Sequence, residues 1–167
     1  MIEAAILTIS DSAVQGTRQD VSGPRLREKV EALGWRVHTQ ALVPDEADRI
    51  AAKLVELAES TEINLILSTG GTGVAPRDVT PEATRRVIDR EIVGLGELMR
   101  SEGRKSTPFA VLSRGLAGAR GRVLIVNFPG SPKGAVESLE AIAALIPHVL
   151  DLLGGKTEHP TSNNEKL

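Results

Sequence analysis

The chain has 167 residues, a net charge of −2 at pH 7 and a hydrophobic content of 41%, a composition typical of one soluble globular domain. The small net charge and an aromatic content of 2% argue against a nucleic-acid partner, and no apolar run is long enough to cross a membrane. Because the chain contains no cysteine, disulfides, thiol catalysis and cysteine-bound metals are excluded, and a cytoplasmic location is expected.

Strands and helices are predicted to alternate along the chain. Short apolar runs or alternating patterns predict strands at residues 4–9, 35–43, 63–69, 108–112 and 123–126. Helices with one apolar face are predicted to begin at residues 22, 44, 81, 95 and 132, and the third of them should run to residue 90. The remaining residues, including 10–20, 113–115 and 118–121, are predicted as loops. Pro147 should kink or restart the last helix.

This alternation favours an α/β fold in which helices cover both faces of a mostly parallel sheet. One domain is expected over residues 1–153, and the polar tail, residues 154–167, is expected to be disordered. In such sheets ligands bind beyond the carboxyl ends of the strands. Three unusual loops, at residues 10–16, 69–78 and 127–132, each follow a predicted strand. We therefore expect these loops to meet in one site.

The middle loop begins with residues 69–73, Thr-Gly-Gly-Thr-Gly, which directly follow a buried strand. Backbone N–H groups that point into one concavity bind anions such as phosphate, and glycines leave them unshielded. The alternative is a tight turn that binds no ligand. The loop lacks the Gly-Lys-Ser/Thr of a Walker loop and the glycine spacing of a dinucleotide-binding fold. Thr80 is predicted to cap the next helix, with Pro81 at its first position.

Three acids, Asp11, Asp45 and Asp78, are expected near these loops. Each also has a structural interpretation: Asp45 could be a helix cap, Asp78 a turn residue and Asp11 part of an Asx-turn. Two carboxylates that face a phosphate site would require a cation between them, and Mg²⁺ binds through one or two carboxylates plus substrate phosphates. Metal-assisted phosphoryl or nucleotidyl transfer is therefore a hypothesis. Phosphate charge could be neutralised by Arg77, Arg114 and Lys133, although each could also be a solvated surface cation.

Residues 69–83, Thr-Gly-Gly-Thr-Gly-Val-Ala-Pro-Arg-Asp-Val-Thr-Pro-Glu-Ala, resemble the signature of the MogA/MoaB family. That family includes bacterial molybdopterin adenylyltransferase and the G domains of gephyrin and its plant counterpart. The resemblance extends to residues 10–12, 20–24, 43–46, 89–91, 113–115 and 127–133, and so covers roughly residues 4–153 in order. The Ala-Pro-Arg-Asp-Val-Thr-Pro segment looks closer to the MogA and gephyrin branch than to MoaB.

The resemblance implies a three-layer α/β/α fold, a homotrimer, and the reaction of molybdopterin with ATP and Mg²⁺ to give adenylyl-molybdopterin and pyrophosphate. It implies that Asp45 and Asp78 are catalytic and bind the metal. Exposed apolar residues such as Val74, Leu95 and Leu98 are expected to supply subunit contacts. The molybdenum-inserting enzyme of the same pathway is an expected partner. The nucleotide- and molybdopterin-binding residues it implies are Ser10, Asp11, Ser12, Thr69, Gly70, Gly71, Thr72, Gly73, Arg77, Ser113, Arg114, Asn127, Pro129, Gly130, Ser131 and Lys133.

Two other functions compete with this one. A non-catalytic molybdopterin-binding or scaffold protein would have the same fold, but the presence of both Asp45 and Asp78 favours the enzyme. A dinucleotide-dependent oxidoreductase would need a different glycine spacing and a ribose-binding acid after the first strand. The sequence therefore favours an adenylyltransferase.

Overall fold

The computed structural model describes residues 1–156, which form a six-stranded, mostly parallel sheet with the strand order β2-β1-β3-β6-β5-β4. The parallel strands are β1 (Glu3–Ile9), β2 (Arg36–Val43), β3 (Leu65–Thr69) and β6 (Val123–Phe128). Two short antiparallel strands, β4 (Arg90–Glu91) and β5 (Ala117–Arg120), extend the sheet beside β6. This arrangement confirms the predicted α/β class.

Seven α-helices surround the sheet in the described part of the chain. They are α1 (Asp11–Val14), α2 (Ser22–Ala32), α3 (Ala47–Ala58), α4 (Thr80–Arg85), α5 (Val93–Gly103), α6 (Pro132–Ile142) and α7 (Ile146–Leu153). A 3₁₀ helix, Pro108–Leu112, follows α5. None of the helices within residues 1–156 is long and apolar enough to span a membrane.

The sheet separates two hydrophobic cores, as the three-layer architecture requires. Alternate strand residues face opposite sides, so Leu65 and Leu67 pack against α2, α5, α6 and α7, whereas Ile66 packs against α3 and α4. All three side chains are completely buried. Burial on both faces explains why the central strands have continuous apolar sequences rather than alternating ones.

The strand register brings the three unusual loops together. Ile9 lies beside Val43, Thr8 lies beside Thr69, and Thr69 lies beside Phe128, so four parallel strands end at nearly the same level. The segments that follow them therefore emerge at one edge of the sheet. The expectation that residues 10–16, 69–78 and 127–132 meet at this edge is confirmed.

Two predicted elements on the antiparallel side are wrong. Residues 108–112 form the 3₁₀ helix instead of a strand, because Pro108 occupies its first turn and the Thr107 side chain caps it. Residues 118–121 were expected to be a loop, but β5 pairs with β6 over this stretch. Gly118 packs so closely against Ile88 that a side chain would not fit, which explains why a weak strand former stands here.

Several helix boundaries also differ from the prediction, and α3 and α5 begin at Ala47 and Val93 rather than at residues 44 and 95. The helix expected over residues 81–90 ends at Arg85, and Arg90–Glu91 pairs with β5. Thr80 is the first helical residue rather than the cap. The loop after β1 contains the short helix α1, whose cap is Ser10. The predicted restart at Pro147 is confirmed by α7. The predicted disordered tail lies outside the described residues from position 157 onward.

Candidate active site

The glycine loop after β3 depends on two glycines for its backbone path. Gly70 has a φ of 107° and Gly71 a φ of 64°, values that residues with a side chain rarely adopt. A side chain at Gly70 would also collide with the backbone of Ile9, and one at Gly71 with Thr80. The loop therefore crosses closely over the ends of β1 and α4, with its backbone accessible.

A network of buried polar side chains supports this loop on the side that faces the protein interior. The Thr80 hydroxyl donates to the carbonyl of Gly70 at 2.9 Å, and the Thr84 hydroxyl donates to the carbonyl of Thr80 at 2.8 Å. The Asn127 side-chain amide donates to Ser68 Oγ at 2.9 Å and to Thr84 Oγ1 at 3.0 Å. Asn127 Oδ1 is buried and has no hydrogen-bond partner among residues 1–156. Because an unpaired buried acceptor costs free energy, a donor from a bound molecule would be stabilised here.

Asp11 and Asp45 hold the ends of β1 and β2 together. The N–H of Asp11 donates to Asp45 Oδ2 at 2.9 Å, and the N–H of Asp45 donates to Asp11 Oδ1 at 3.0 Å. Arg77 Nε forms an ion pair with Asp11 Oδ2 at 2.5 Å. The residue that precedes α3 is Glu46, and Asp45 does not cap that helix. The helix-cap interpretation of Asp45 is therefore wrong.

Asp78 closes a turn and also faces the glycine loop. Its Oδ2 atom accepts a hydrogen bond from the N–H of Ala75 at 2.9 Å, so the turn interpretation is confirmed. The same oxygen lies 2.7 Å from the position that a Cβ atom on Gly73 would occupy. Asp45 Oδ1 lies 3.1 Å from the corresponding position on Gly71. One carboxylate thus lies beside each of two glycines of the loop, Gly71 and Gly73.

The electrostatics of this edge disfavour a negative charge on Asp45. Burial raises the pKa of Asp45, and repulsion from Asp11 and Asp78 raises it further. By contrast, the hydrogen bond from Arg77 lowers the pKa of Asp11. A bound cation would offset the repulsion that Asp45 experiences.

The carboxylate oxygens at the sheet edge suit a metal ion that binds the protein and a substrate at the same time. No group of three or more acidic, histidine or cysteine side chains within residues 1–156 could hold a metal by itself. Asp45 and Asp78 each use Oδ2 for a backbone hydrogen bond, which leaves Oδ1 for another ligand. Mg²⁺ commonly binds one or two carboxylates and completes its coordination with water and substrate phosphates. The two aspartates therefore fit Mg²⁺ only if a phosphate substrate is present.

A cavity of about 540 Å³ opens beyond the carboxyl ends of β3 and β6. Many of the predicted binding residues line it, namely Gly71, Thr72, Gly73, Asp78, Ser113, Asn127, Pro129, Gly130 and Ser131. The sequence did not predict the opposite wall, which α5, the 3₁₀ helix and α6 form. The principal residues of that wall are Met99, Arg100, Gly103, Thr107, Phe109, Ala110, Leu112, Gly134, Glu137 and Ser138. A cavity of this size accommodates a small-molecule substrate.

The other predicted binding residues lie outside this cavity. Five of the predicted site residues lie on the side of Gly71 that faces away from the cavity. We call them the acidic edge, which is made of Ser10, Asp11, Ser12, Asp45 and Arg77. The site thus has two parts, and Gly71 contacts both. Thr69 and Gly70 form the buried start of the loop, where the Thr69 hydroxyl donates to the carbonyl of Pro129 and Gly70 packs against Ile9. Lys133 is exposed beside Glu137. The residues of the first loop and those of the third loop thus lie in different parts of the site, and their roles in binding stay a prediction.

Phe109 is the most distinctive residue that the sequence reasoning missed. It is 74% exposed, although it lines the cavity. The chain has only two phenylalanines, one tryptophan and no tyrosine, and Phe128 is completely buried. The scarcity of aromatic residues was the available signal, because a single aromatic residue beside a proline stands out in a chain with an aromatic content of 2%. Arg114 was predicted to bind substrate, but its guanidinium is bonded to Gly73, Asp78 and Glu82.

Residues 5–148 match the model of a family described as "Probable molybdopterin binding domain". The chain is 40% identical over 156 residues to the molybdopterin adenylyltransferase of Helicobacter pylori strain J99, covering 92% of this chain and 89% of that protein. It is 44% identical over 154 residues to the Drosophila melanogaster molybdenum cofactor synthesis protein cinnamon. The aligned residues make up 92% of this chain but only 26% of cinnamon. The crystal structure of the molybdopterin biosynthesis enzyme MoaB from Thermus thermophilus superposes with a TM-score of 0.87 at 52% identity, over 93% of this chain and 98% of that one.

Proposed function

The chain belongs to the family of probable molybdopterin binding domains, and we propose that it is a molybdopterin adenylyltransferase of molybdenum cofactor biosynthesis. The single observation that carries this proposal is the position of the glycine loop. Its residues line a cavity of about 540 Å³, and the carboxylates of Asp45 and Asp78 lie beside two of its glycines, Gly71 and Gly73. A phosphate cradle between two carboxylates suits the joining of two phosphate-bearing molecules. We assign this activity to residues 1–153.

In the proposed reaction, the terminal phosphate of molybdopterin attacks the α-phosphorus of ATP. A phosphorus–oxygen bond forms to the pterin phosphate, and the bond between the α-phosphorus and the bridging oxygen breaks, so that pyrophosphate leaves. The attacking phosphate is already anionic, and no general base is required. The chain therefore acts mainly by positioning the two phosphates and by neutralising their charge.

The two parts of the site divide this work. The cavity is large enough for a bicyclic ring, and its exposed Phe109 supplies a flat apolar surface. The N–H groups of residues 71–73 hold phosphate where the cavity meets the acidic edge. Asp45 and Asp78 would hold Mg²⁺, which when bound neutralises triphosphate charge and orients the phosphates. Asp11 keeps Asp45 in place through their paired hydrogen bonds.

We further propose that the enzyme is a cytoplasmic homotrimer that passes its product to the molybdenum-inserting enzyme of the same pathway. Exposed apolar residues support a subunit contact: Val74 is 70% exposed, and Val93 and Val111 are more than half exposed. Leu95, which was expected to contribute, is only 5% exposed and belongs to the core. Light scattering should give three times the chain mass, and a monomer at micromolar concentration would contradict the trimer.

Turnover distinguishes the enzyme from a protein that only binds molybdopterin. Purified protein is incubated with molybdopterin, ATP and Mg²⁺, and the adenylylated pterin is detected by its mass. The enzyme should form this product, and Asp78→Asn should lower the rate by about 100-fold while pterin binding survives. Pterin binding without product in the wild-type protein would support the scaffold alternative and would refute the proposed activity.

A further inference from the structure

We propose that Arg114 and Glu82 form a positioning pair that fixes the glycine loop and Asp78 in their catalytic geometry without contacting substrate. This inference rests on the proposed function for its kinetic consequences. Its structural part, the immobilisation of residues 73–78, can be tested separately.

Arg114 holds both ends of the segment that connects the glycine loop to Asp78. Its Nε atom donates to the carbonyl of Gly73 at 2.7 Å, and its Nη2 atom donates to the carbonyl of Asp78 at 2.6 Å. The N–H of Arg114 also donates to the carbonyl of Thr72 at 2.8 Å. One residue from the loop before β5 thus fixes three backbone positions around the acidic side chain.

Glu82 orients the guanidinium that makes these contacts. It lies in the first turn of α4, and its two carboxylate oxygens accept hydrogen bonds from Nη1 and Nη2 of Arg114. The hydrogen bond from Arg114 lowers the pKa of Glu82, so the pair is charged at neutral pH. Thr80 at the start of the same helix binds the carbonyl of Gly70. Helix α4 therefore positions both the beginning of the loop and, through Arg114, its end.

The packing around the Asp78 side chain makes its position sensitive to the carbonyls of Gly73 and Asp78, which Arg114 holds. Asp78 Oδ2 lies close to Gly73 and accepts a hydrogen bond from Ala75, so movement of either end of the segment displaces the carboxylate. Displacement of a catalytic group by about 1 Å can lower the rate by about 100-fold. A planar guanidinium can bridge two carbonyls and a carboxylate at once, whereas the ammonium group of lysine cannot match this geometry.

The alternative is that Arg114 binds substrate phosphate, as the sequence suggested. All three guanidinium nitrogens already donate to acceptors within the protein. Arg114 also does not line the cavity of about 540 Å³, and instead lines a smaller neighbouring cavity of about 290 Å³. Four of the five guanidinium N–H groups are used in this way, so a phosphate could bind through only one N–H of Nη1 unless these contacts break, whereas the positioning role requires no rearrangement.

Steady-state kinetics of Arg114→Lys and Glu82→Gln test the pair. We expect kcat to fall by about 10- to 100-fold in both variants. The KM values for ATP and molybdopterin should change by less than about threefold, because no substrate contact is lost. Glu91→Gln is the matched control. Glu91 lies in β4 and pairs with Arg85, which lies on α4 like Glu82, so the substitution removes an ion pair of the same helix without touching the loop. The control should keep the wild-type kcat. A rise in KM for ATP with unchanged kcat would show that Arg114 binds phosphate and would overturn the proposal.

Chemical rescue separates positioning from general structural support. Millimolar guanidinium should restore activity to Arg114→Ala, and an equal concentration of sodium chloride should not. Guanidinium should not restore activity to Asp78→Asn. Failure of rescue in a folded Arg114→Ala protein would overturn the proposal. If Arg114→Ala does not fold, the kinetics of Glu82→Gln, which keeps the size of the side chain, decide the question.

Amide hydrogen exchange tests the pair independently of catalysis. Exchange of residues 73–78 should be faster in Arg114→Lys and Glu82→Gln than in the wild-type protein and in Glu91→Gln. An inactive wild-type protein would refute the proposed function but would leave this comparison intact. Unchanged exchange in both variants would overturn the positioning pair.

Discussion

Replacing Gly73 with alanine should displace Asp78 without unfolding the protein. The new methyl group would lie 2.7 Å from Asp78 Oδ2, and the shortest ordinary contact is 3.4 Å. The carboxylate must therefore retreat by about 0.7 Å, which is the difference between these distances. A displacement of this size is expected to lower turnover by about 10- to 100-fold.

The same substitution should have little effect on stability. Gly73 does not have a positive φ, so alanine can adopt its backbone conformation. The lower entropy of the unfolded chain stabilises an alanine variant by about 0.4–1 kcal/mol. Weakening of the hydrogen bond from Ala75 to Asp78 costs a similar amount, about 0.5–1.5 kcal/mol. Because these terms nearly cancel, the melting temperature should change by less than about 3 °C.

Adenylyl-molybdopterin formation and thermal melting should be measured for Gly73→Ala and for Gly94→Ala. Gly94 lies in α5, where a methyl group would have no neighbour within 4 Å, so this control should keep wild-type turnover. Wild-type turnover in a folded Gly73→Ala protein would refute the idea that the position of Asp78 limits the rate.

Substitutions at three further positions test the loop, the acidic edge and the cavity wall. Gly71→Ala should destabilise the protein by about 1–3 kcal/mol in denaturant unfolding, because Gly71 has a φ of 64° and a methyl group would collide with Thr80. Since the pKa of Asp45 is raised above 3.8, the native protein binds more protons than the unfolded chain above this pH, and stability is lost as pH rises. Asp45→Asn should therefore melt at the same or a higher temperature than wild type at pH 7, with no difference below pH 3.8, while turnover falls about 100-fold. Phe109→Ala should raise the KM of the substrate whose ring it contacts by about tenfold, and Phe109→Trp should restore it, as steady-state kinetics with each substrate varied would show.

The central sheet and the meeting of the loops could be predicted because their signals are local. Residues 4–9, 63–69 and 123–126 are almost entirely buried and therefore mostly apolar. The carboxyl ends of parallel strands share one edge whatever the details of packing. The helix predicted to begin at residue 132 does begin there, and the hydroxyl of Ser131, which caps it, accepts a hydrogen bond from the N–H of Gly134.

The antiparallel strands and the cavity wall could not be predicted because their signals are long-range. Ala117–Arg120 is a strand because β6 offers it a partner and Ile88 leaves no room for a side chain at Gly118. The apolar run Pro108–Leu112 resembles a strand, but its N-terminal proline and the Thr107 cap favour a 3₁₀ helix. The position of Phe109 in the cavity follows from the docking of this helix near α5 and α6, which no local pattern indicates.

Functional residues were found by type more reliably than by role. Asp11, Asp45 and Asp78 were found because they lie near loops at the predicted sheet edge, and the family resemblance then singled out Asp45 and Asp78. Both of these carboxylates lie close to the glycine loop. Arg114 was selected because of its charge, but its position beside Glu82 depends on tertiary structure. A cation near a phosphate loop can bind phosphate or stabilise the loop, and only the set of acceptors around it distinguishes these roles.

Transfer of label from ATP tests the central claim most directly. The purified protein is incubated with molybdopterin, Mg²⁺ and ATP that carries radioactive phosphorus at either the α or the γ position. We predict that α-label appears on the pterin and that γ-label leaves as pyrophosphate, both only when molybdopterin is present. Transfer of γ-label to the pterin, or absence of labelled pterin from either ATP, would contradict adenylyl transfer by this chain.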